Sequence, residues 1–135
     1  LARVGGKYSD QWHAEHTVNP RSVVPESIMP GYPWLAKTPL KLDDVEARMK
    51  VLKTVGVPYT DDMLKNVKAD IAAQVSPDSR PARQLVARYP KAKVAKFDGR
   101  PGSEVSELDA LIAYMQMLGT LVDFATFDAA GPNLR

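Results

Sequence analysis

Cysteine is absent from this 135-residue sequence, and histidine occurs only twice. Without cysteine, these residues can form no disulfide, no thiolate metal site and no cysteine nucleophile. The sequence also contains no apolar run that approaches the ~20 residues needed by a membrane-spanning helix. Disulfide-stabilised and membrane-spanning structures are therefore excluded for this stretch.

Long runs of like charge are also missing. The 18 basic and 16 acidic side chains give a formal charge of +2, and no five consecutive residues carry the same sign. The densest basic stretch, residues 88–96, contains one aromatic residue, Tyr89, and is interrupted by Pro90. We interpret it as a solvated loop and expect no nucleic-acid partner.

The overall amino-acid composition is typical of one globular domain. Apolar residues make up 44% and charged residues 25% of the sequence, close to the averages for soluble proteins. A chain of this length supports a single core. We therefore predict one domain over residues 1–135.

Hydrophobic spacing and capping residues predict an all-α fold with short helices. Ser9 caps a short helix that ends near Thr17, with Trp12 and His16 on one face. A second helix is predicted over residues 43–55, where Val45, Met49, Leu52 and Val55 form a stripe and Gly56 ends it. The remaining predicted helices run from Thr60 through Gln74, with Met63, Leu64, Val67 and Ile71 inward, and from a cap at Ser103 or Ser106 to Leu118, with Leu108, Leu111, Ile112 and Met115 on one face.

Two stretches rich in proline are predicted to be mainly loop. Residues 1–40, apart from the short helix from Ser9 to Thr17, contain five prolines, each of which disfavours helix at the residue before it. Residues 76–102 are interpreted as an inserted excursion with one helical turn around Leu85 and Val86. The tail from Thr120 is expected to pack against the domain at its start and to fray at its C-terminal end. Because ordering a residue costs about 1 to 2 kcal/mol of backbone entropy, such loops favour a buried cofactor as an organiser.

The most unusual segment is VPESIMPGYPWL, residues 24–35. Prolines on both sides of Met29 suit a thioether sulfur that must be held at a fixed point. Haem iron in electron-transfer cytochromes takes such a ligand opposite a histidine. Taken by itself, the segment leaves open the alternative that Met29 is a packing residue.

Other polar residues give weaker signals. His13 and His16 lie three residues apart without a third ligand nearby, so we expect surface or loop-packing roles for both. Arg21 could pair with a haem propionate through its guanidinium group, or lie exposed in a turn. The carboxylate pairs at residues 43–44 and 61–62 are explained by helix capping, and no G-x-S-x-G motif is present. No signal of a hydrolase remains.

Several segments together resemble the mono-haem cytochrome c subunit of cbb3-type cytochrome c oxidases. The opening LARVGG is similar to the segment that follows the proximal histidine in class I cytochromes c, and the Met29 segment is similar to their distal ligand loop. The more specific matches are KYSDQWHAEH at 7–16, NPR at 19–21, VPESIMPGYPWL at 24–35, LKTVGVPYT at 52–60 and SELDALIAYMQMLG at 106–119.

This resemblance implies a class I cytochrome c-like fold with one haem c. Met29 would be the distal axial ligand of the iron, and Arg21, Tyr32 and Trp34 would line the haem. The proximal histidine, the attachment cysteines of a C-x-x-C-H motif and a membrane-anchoring helix are expected upstream of Leu1. His13 and His16 lie after the expected attachment site and are therefore not the proximal ligand.

The family also implies a partner set and a location. The subunit would pass electrons from a di-haem cytochrome c subunit to the catalytic subunit that reduces oxygen, and would have no active site of its own. It would lie on the periplasmic side of the bacterial inner membrane. Two alternatives remain open: a free soluble class I cytochrome c, and a haem-free helical module in which Met29, Tyr32 and Trp34 form a docking patch.

Overall fold

The computed structural model of this chain describes residues 3–102 and 104–120. Five α-helices and no β-strand are found within these residues, which confirms the all-α prediction. The helices are α1 (Asp10–Val18), α2 (Val45–Thr54), α3 (Asp61–Gln74), α4 (Arg80–Arg88) and α5 (Glu107–Met117), with 3₁₀ turns at Pro20–Ser22 and Pro33–Ala36.

Three predicted helix starts agree with the structure because they rest on side-chain caps, whereas α2 begins at Val45 and the Asp44 side chain makes no capping hydrogen bond. The Ser9 hydroxyl accepts the Trp12 N–H at 3.1 Å, and the Thr60 hydroxyl accepts the Met63 N–H at 3.2 Å. Ser106, rather than Ser103, caps α5 by accepting the Asp109 N–H at 3.0 Å; Ser103 lies outside the described residues. Each cap satisfies a backbone donor that has no partner within its own helix.

Residues 76–102 contain more helix than the predicted single turn. Ser79 caps α4, which has nine residues and buries Ala82 and Leu85. Pro81 suggested a loop, but it lies within the first helical turn, where its missing N–H costs no hydrogen bond. That these residues are an insertion stays a prediction.

The buried apolar side chains form two clusters. Val75, Phe97, Leu108 and Ile112 make the first, against which Ala14 and Val18 of α1 also pack, and Met49, Leu64 and Val67 make the second. The predicted stripe of α2 is only partly correct, because Leu52 and Val55 are exposed. Their exposure follows from the position of α2, which contacts only α3 among the described helices.

A buried ion pair joins α4 to α3. Arg88 Nε donates to Asp70 Oδ2 at 2.9 Å, and a second guanidinium nitrogen donates to the other carboxylate oxygen. Asp70 is almost fully buried. A buried carboxylate without such a partner would be strongly unfavourable, so this pair fixes the orientation of α4 on α3.

The start of the described chain lies against the end of α5. Gly5 N–H donates to the Leu118 carbonyl at 2.9 Å, and Gly6 N–H donates to Gln116 Oε1 at 2.8 Å. The amide nitrogen of Gln116 in turn donates to the Tyr8 carbonyl at 3.0 Å and to Asp10 Oδ1 at 2.6 Å. The buried Gln116 thereby holds the segment that leads into α1.

Truncation of Ile112 should test the placement of α5. Ile112 is 0% exposed and lies in the first cluster, whereas its neighbour Leu111 is only partly buried. We expect Ile112→Ala to lower the free energy of unfolding by about 2 to 5 kcal/mol, and Leu111→Ala to cost less. Urea denaturation followed by circular dichroism measures both. An Ile112→Ala cost near zero would contradict this packing of α5.

Candidate functional site

The loop that carries Met29 begins and ends at the C-terminus of α1. The chain leaves α1 through the 3₁₀ turn at Pro20–Ser22 and returns where Tyr32 N–H donates to the Thr17 carbonyl at 2.8 Å. Because both ends of the loop are held by backbone contacts at this point, the position of Met29 depends on α1.

Glycine is required where the loop returns. A Cβ atom on Gly31 would lie 2.7 Å from the Val18 carbonyl oxygen, which belongs to the backbone of α1. Real Cβ atoms essentially never come so close to such an atom. The glycine after Met29-Pro30 therefore allows the loop to pass directly over the end of α1.

Further hydrogen bonds define the inner course of the loop. Met29 N–H donates to the Ser27 hydroxyl at 3.2 Å, and Ser27 N–H donates to the Val24 carbonyl at 2.9 Å. Arg21 is exposed, and its Nε donates to the Ser27 carbonyl at 3.3 Å. Arg21 thus braces the loop that carries Met29, while its predicted contact with a propionate stays a prediction.

Large apolar side chains around Met29 are left in contact with water. Met29 itself is partly buried, whereas Ile28 is 97% and Trp34 54% exposed. Tyr32 is partly buried and meets Trp34 edge to face, with ring centroids 5.3 Å apart. This segment therefore presents apolar surface to solvent, as expected of residues that are covered by a cofactor or a partner.

A stack of three aromatic rings lies along α1. The Tyr8 and Trp12 rings are stacked with centroids 4.1 Å apart, and Trp12 and His16 are stacked at 4.6 Å. All three side chains are partly or largely exposed. The sequence placed Trp12 and His16 on one face, but the contribution of Tyr8 was missed; spacing of aromatic residues at 8, 12 and 16 is the signal that predicts it.

His13 is buried beside this stack, with its ring edge to face against Tyr8 at 6.0 Å and against Trp12 at 5.4 Å between centroids. It is 2% exposed, so of the two expected roles the surface role is wrong and the packing role remains; its Nε2 has no hydrogen-bond partner among the described residues. Burial lowers the pKa of His13 below its usual value, so the neutral imidazole is favoured at pH 7. In the described ranges, no three metal-ligating side chains of the His, Cys, Asp and Glu types form a group.

These residues fit a haem with a methionine ligand. In electron-transfer cytochromes the iron can take a soft thioether donor held on a fixed backbone, and the porphyrin packs against flat apolar surface. Met29 on its braced loop offers the thioether donor. The half-exposed aromatic stack on α1 and the exposed Trp34 offer flat apolar surface. Of the four predicted haem-lining residues, Met29, Arg21 and Tyr32 belong to or brace one loop, and Trp34 follows it.

Substitution of Gly31 should displace this loop. Gly31→Ala places a methyl group against the Val18 carbonyl, and such overpacking typically costs about 1 to 3 kcal/mol. We expect a lower unfolding midpoint together with a changed absorption spectrum of the haem-loaded full-length subunit. The exposed Gly99 is the control, since a Cβ atom there meets nothing within 4 Å, although its φ of +67° makes a small strain cost expected. An unchanged midpoint for Gly31→Ala would contradict the close approach.

Among the described residues, no helix is long and apolar enough to cross a bilayer.

Two comparisons with known proteins extend these observations. A search of curated proteins finds no match. A family model described as cytochrome c oxidase, mono-heme subunit/FixO matches residues 1–122. The match covers most of the chain and includes the Met29 loop, the aromatic stack and all five helices, and the chain therefore belongs to the FixO family of mono-haem cytochrome c oxidase subunits.

Proposed function

We propose that this subunit relays single electrons through one haem c, from a di-haem cytochrome c subunit to the catalytic subunit where oxygen is reduced. The observation that carries the proposal is the Met29 loop, which is fixed at both ends on α1 next to a half-exposed aromatic stack. A haem supplies one-electron redox chemistry, and the protein supplies ligation, burial and position.

The proposal gives each residue of the site a part in ligating, positioning or covering the haem. The Met29 thioether would ligate the iron as a weak, soft donor, which favours the reduced state and raises the potential. Tyr32 and Ser27 would limit movement of that ligand, because the Tyr32 N–H bond to Thr17 fixes the loop at its return and the Ser27 hydroxyl accepts the Met29 N–H. Tyr32 and Trp34 would cover the edge of the porphyrin and exclude water, and Arg21 would lie near a propionate.

The remaining features of the proposal come from the family. The domain would be class I cytochrome c-like, with its C-x-x-C-H motif and membrane anchor upstream of Leu1. It would lie on the periplasmic side of the bacterial inner membrane, beside the catalytic and di-haem subunits. The subunit would take part in the oxidase reaction without a catalytic site of its own.

The proposal is tested first by the cofactor content. We expect the full-length protein, purified with its membrane partners, to give a reduced-minus-oxidised spectrum of a c-type cytochrome and one haem per copy in a pyridine haemochrome assay. Rapid re-oxidation of that haem by oxygen in the complex would support the relay. A haem that stays reduced while the catalytic subunit turns over would contradict it.

The two alternative functions predict other outcomes. A free soluble cytochrome c would purify with its haem but without larger subunits, which membership of an oxidase subunit family does not favour. A helical interaction module would carry no haem, and the exposed Ile28 and Trp34 would then be covered by a partner protein. The haemochrome assay separates the module from both cytochrome readings.

A further inference from the structure

Helix α2 carries apolar residues on two sides. Met49 is buried in the second cluster, against α3. Ala47 and Val51 each lie two residues from Met49, which places them about 200° around the helix axis, on the opposite side. Val51 is 63% exposed, and Val55, one turn further along, is 67% exposed. A surface helix normally turns polar residues to the side away from the core, so a second apolar side indicates a second neighbour.

The exposed apolar residues of α2 are contiguous, whereas those of the adjacent helix are not. We call Ala47, Val51, Leu52 and Val55 the outer face of α2; all four are exposed. Helix α3 has the usual pattern instead, because its exposed residues are charged or alanine: Asp61, Asp62, Lys65, Lys68, Ala69 and Ala72. Single exposed apolar residues are common on protein surfaces, but a contiguous group marks a contact site.

A groove on the outer face has the arrangement of a hole in a helix pair. It is lined by Asp44, Ala47, Arg48, Val51 and Leu52. The first four stand at i, i+3, i+4 and i+7, neighbours on the helix surface that together receive one side chain of a facing helix. The groove measures about 490 Å³. An apolar cavity of about 150 Å³ already admits benzene, so a large apolar side chain fits. The same spacing recurs one turn later and ends at Val55.

The charges beside this groove are already neutralised. Arg48 pairs with Asp44 at 2.6 Å, and Lys50 pairs with Glu46 at 2.7 Å. Because each of these bases has its counter-charge on the same helix, little field extends from them toward a distant partner. The outer face therefore fits an apolar partner that is recognised by shape, as in permanent interfaces.

The size of the outer face indicates which kind of partner covers it. Helix α2 has 10 residues, and a helix of this length spans about 15 Å. A stable complex of two proteins buries roughly 800 Å² on each partner. Four apolar side chains are too few to hold a free protein or a second copy of this chain by themselves. They can add to the contact with a partner that is held nearby by other contacts, as a neighbouring subunit of an oxidase is.

We propose that the outer face of α2 is the docking site for an apolar helix of another subunit of the oxidase. Two side chains of that helix, one turn apart, would enter the two holes that end at Val51 and Val55. The inference goes beyond the electron relay and requires only that the chain is a subunit of an oxidase complex, as its family indicates.

Two substitutions test the holes in the detergent-solubilised oxidase that contains the full-length subunit. Val51→Gln gives the wall between the holes a polar side chain, and Ala47→Leu fills the first hole while it adds apolar surface. Both positions are exposed and both new residues are good helix formers, so the unfolding midpoint should stay near that of the wild type. We expect each change to raise the rate at which this subunit dissociates by about tenfold or more. The measurement is the amount of subunit that remains on complexes captured through a tag on the catalytic subunit.

Val86→Gln is the matched control. Val86 is 40% exposed on α4 and is not part of the outer face. Its dissociation rate should equal that of the wild type. Ala47→Leu also separates a specific hole from general apolar adhesion, because adhesion would become no weaker when apolar surface is added. Tighter or unchanged binding of Ala47→Leu would therefore overturn the proposed packing.

A photo-reactive residue identifies the occupant. Replacing Val55 by p-benzoylphenylalanine puts the probe at the end of the outer face and leaves the first hole unchanged. Irradiation of the purified oxidase is expected to cross-link this position to a helical segment of another subunit. The same probe in place of Val86 should not cross-link to that segment.

The outcomes separate the docking site from the relay function. Cross-links from position 55 only within the chain or only to a second copy of it, or none, would overturn the docking site, as would equal dissociation rates for the wild type, Val51→Gln and Ala47→Leu. Normal re-oxidation of the haem by oxygen would leave the relay standing in that case. A haem that oxygen cannot re-oxidise in the wild-type complex would overturn the relay and leave the docking site intact.

Discussion

Met29→Ala is expected to lower the reduction potential of the haem and to open the iron to added ligands such as imidazole. The thioether is a weak donor that favours ferrous iron, and its loss leaves water or an external ligand in that position. Axial ligands set haem potentials over a range of about 0.8 V, so a change on the order of 0.1 V is expected. Redox titration and imidazole binding to the full-length subunit measure both effects.

A second methionine provides the control for this experiment. Met63 is partly buried on α3 and packs against the second cluster, away from the loop that carries Met29. Met63→Ala should lower stability slightly and leave the potential and the imidazole affinity unchanged. If Met29→Ala and Met63→Ala have the same spectra and potential as the wild type, Met29 is not a ligand and the loop serves packing or docking.

Asp109→Ala is expected to cause the largest loss of stability from a polar residue. Asp109 is 0% exposed at the start of α5. Its carboxylate accepts Lys96 Nζ at 2.5 Å, Asp98 N–H at 3.0 Å and Ser106 N–H at 3.1 Å. Removal leaves a partly buried ammonium and two backbone donors without this acceptor, which should cost about 3 to 5 kcal/mol.

Glu107 gives the matched comparison in the same helical turn. It is acidic and lies in the first turn of α5, but it is only partly buried. Glu107→Ala should therefore cost less than about 1 kcal/mol, the usual contribution of a charge at a helix end. Urea unfolding of both variants measures the difference. Similar losses would mean that Asp109 acts only through the helix dipole.

The same carboxylate should make stability depend on acid pH. Burial alone raises the pKa of Asp109, but the bonds from Lys96, Ser106 and Asp98 outweigh burial, and the pKa lies below its usual value of 3.8. The stabilisation from Asp109 is thus complete above about pH 4 and is lost as the pH falls through the folded-state pKa. Stability measured between pH 7 and pH 2 should fall less steeply at the acid end in Asp109→Ala than in the wild type.

Local signals in the sequence predicted most helix starts because a cap involves residues only three positions apart. Ser9, Thr60 and Ser106 lie at the predicted starts. The exposure of Leu52 could not be predicted in this way, since it depends on which helix lies opposite α2, a relation between segments distant in the chain. The extent of α4 was underestimated because Pro81 was interpreted as a loop signal without regard to its place in the first turn.

For the candidate site, the sequence predicted the residues but not the contacts between them. The segment around Met29 was recognised from its own residues, but its attachment to α1 through Gly31 and Tyr32 depends on three-dimensional closeness that spacing does not reveal. The burial of His13 was missed for the same reason, because the core face of α1 is defined by α5, more than ninety residues later in the sequence.

The contact between the start of the described chain and α5 has a consequence for biosynthesis. Gln116 is synthesised more than a hundred residues after Tyr8 and Gly6, yet it holds the segment that leads into α1. Contacts at such separation close late, since loop-closure entropy is lost before they form. The newly made chain therefore presents α1 and the Met29 loop before α5 exists, and the segment that leads into α1 is held in place only when α5 has left the ribosome and docked.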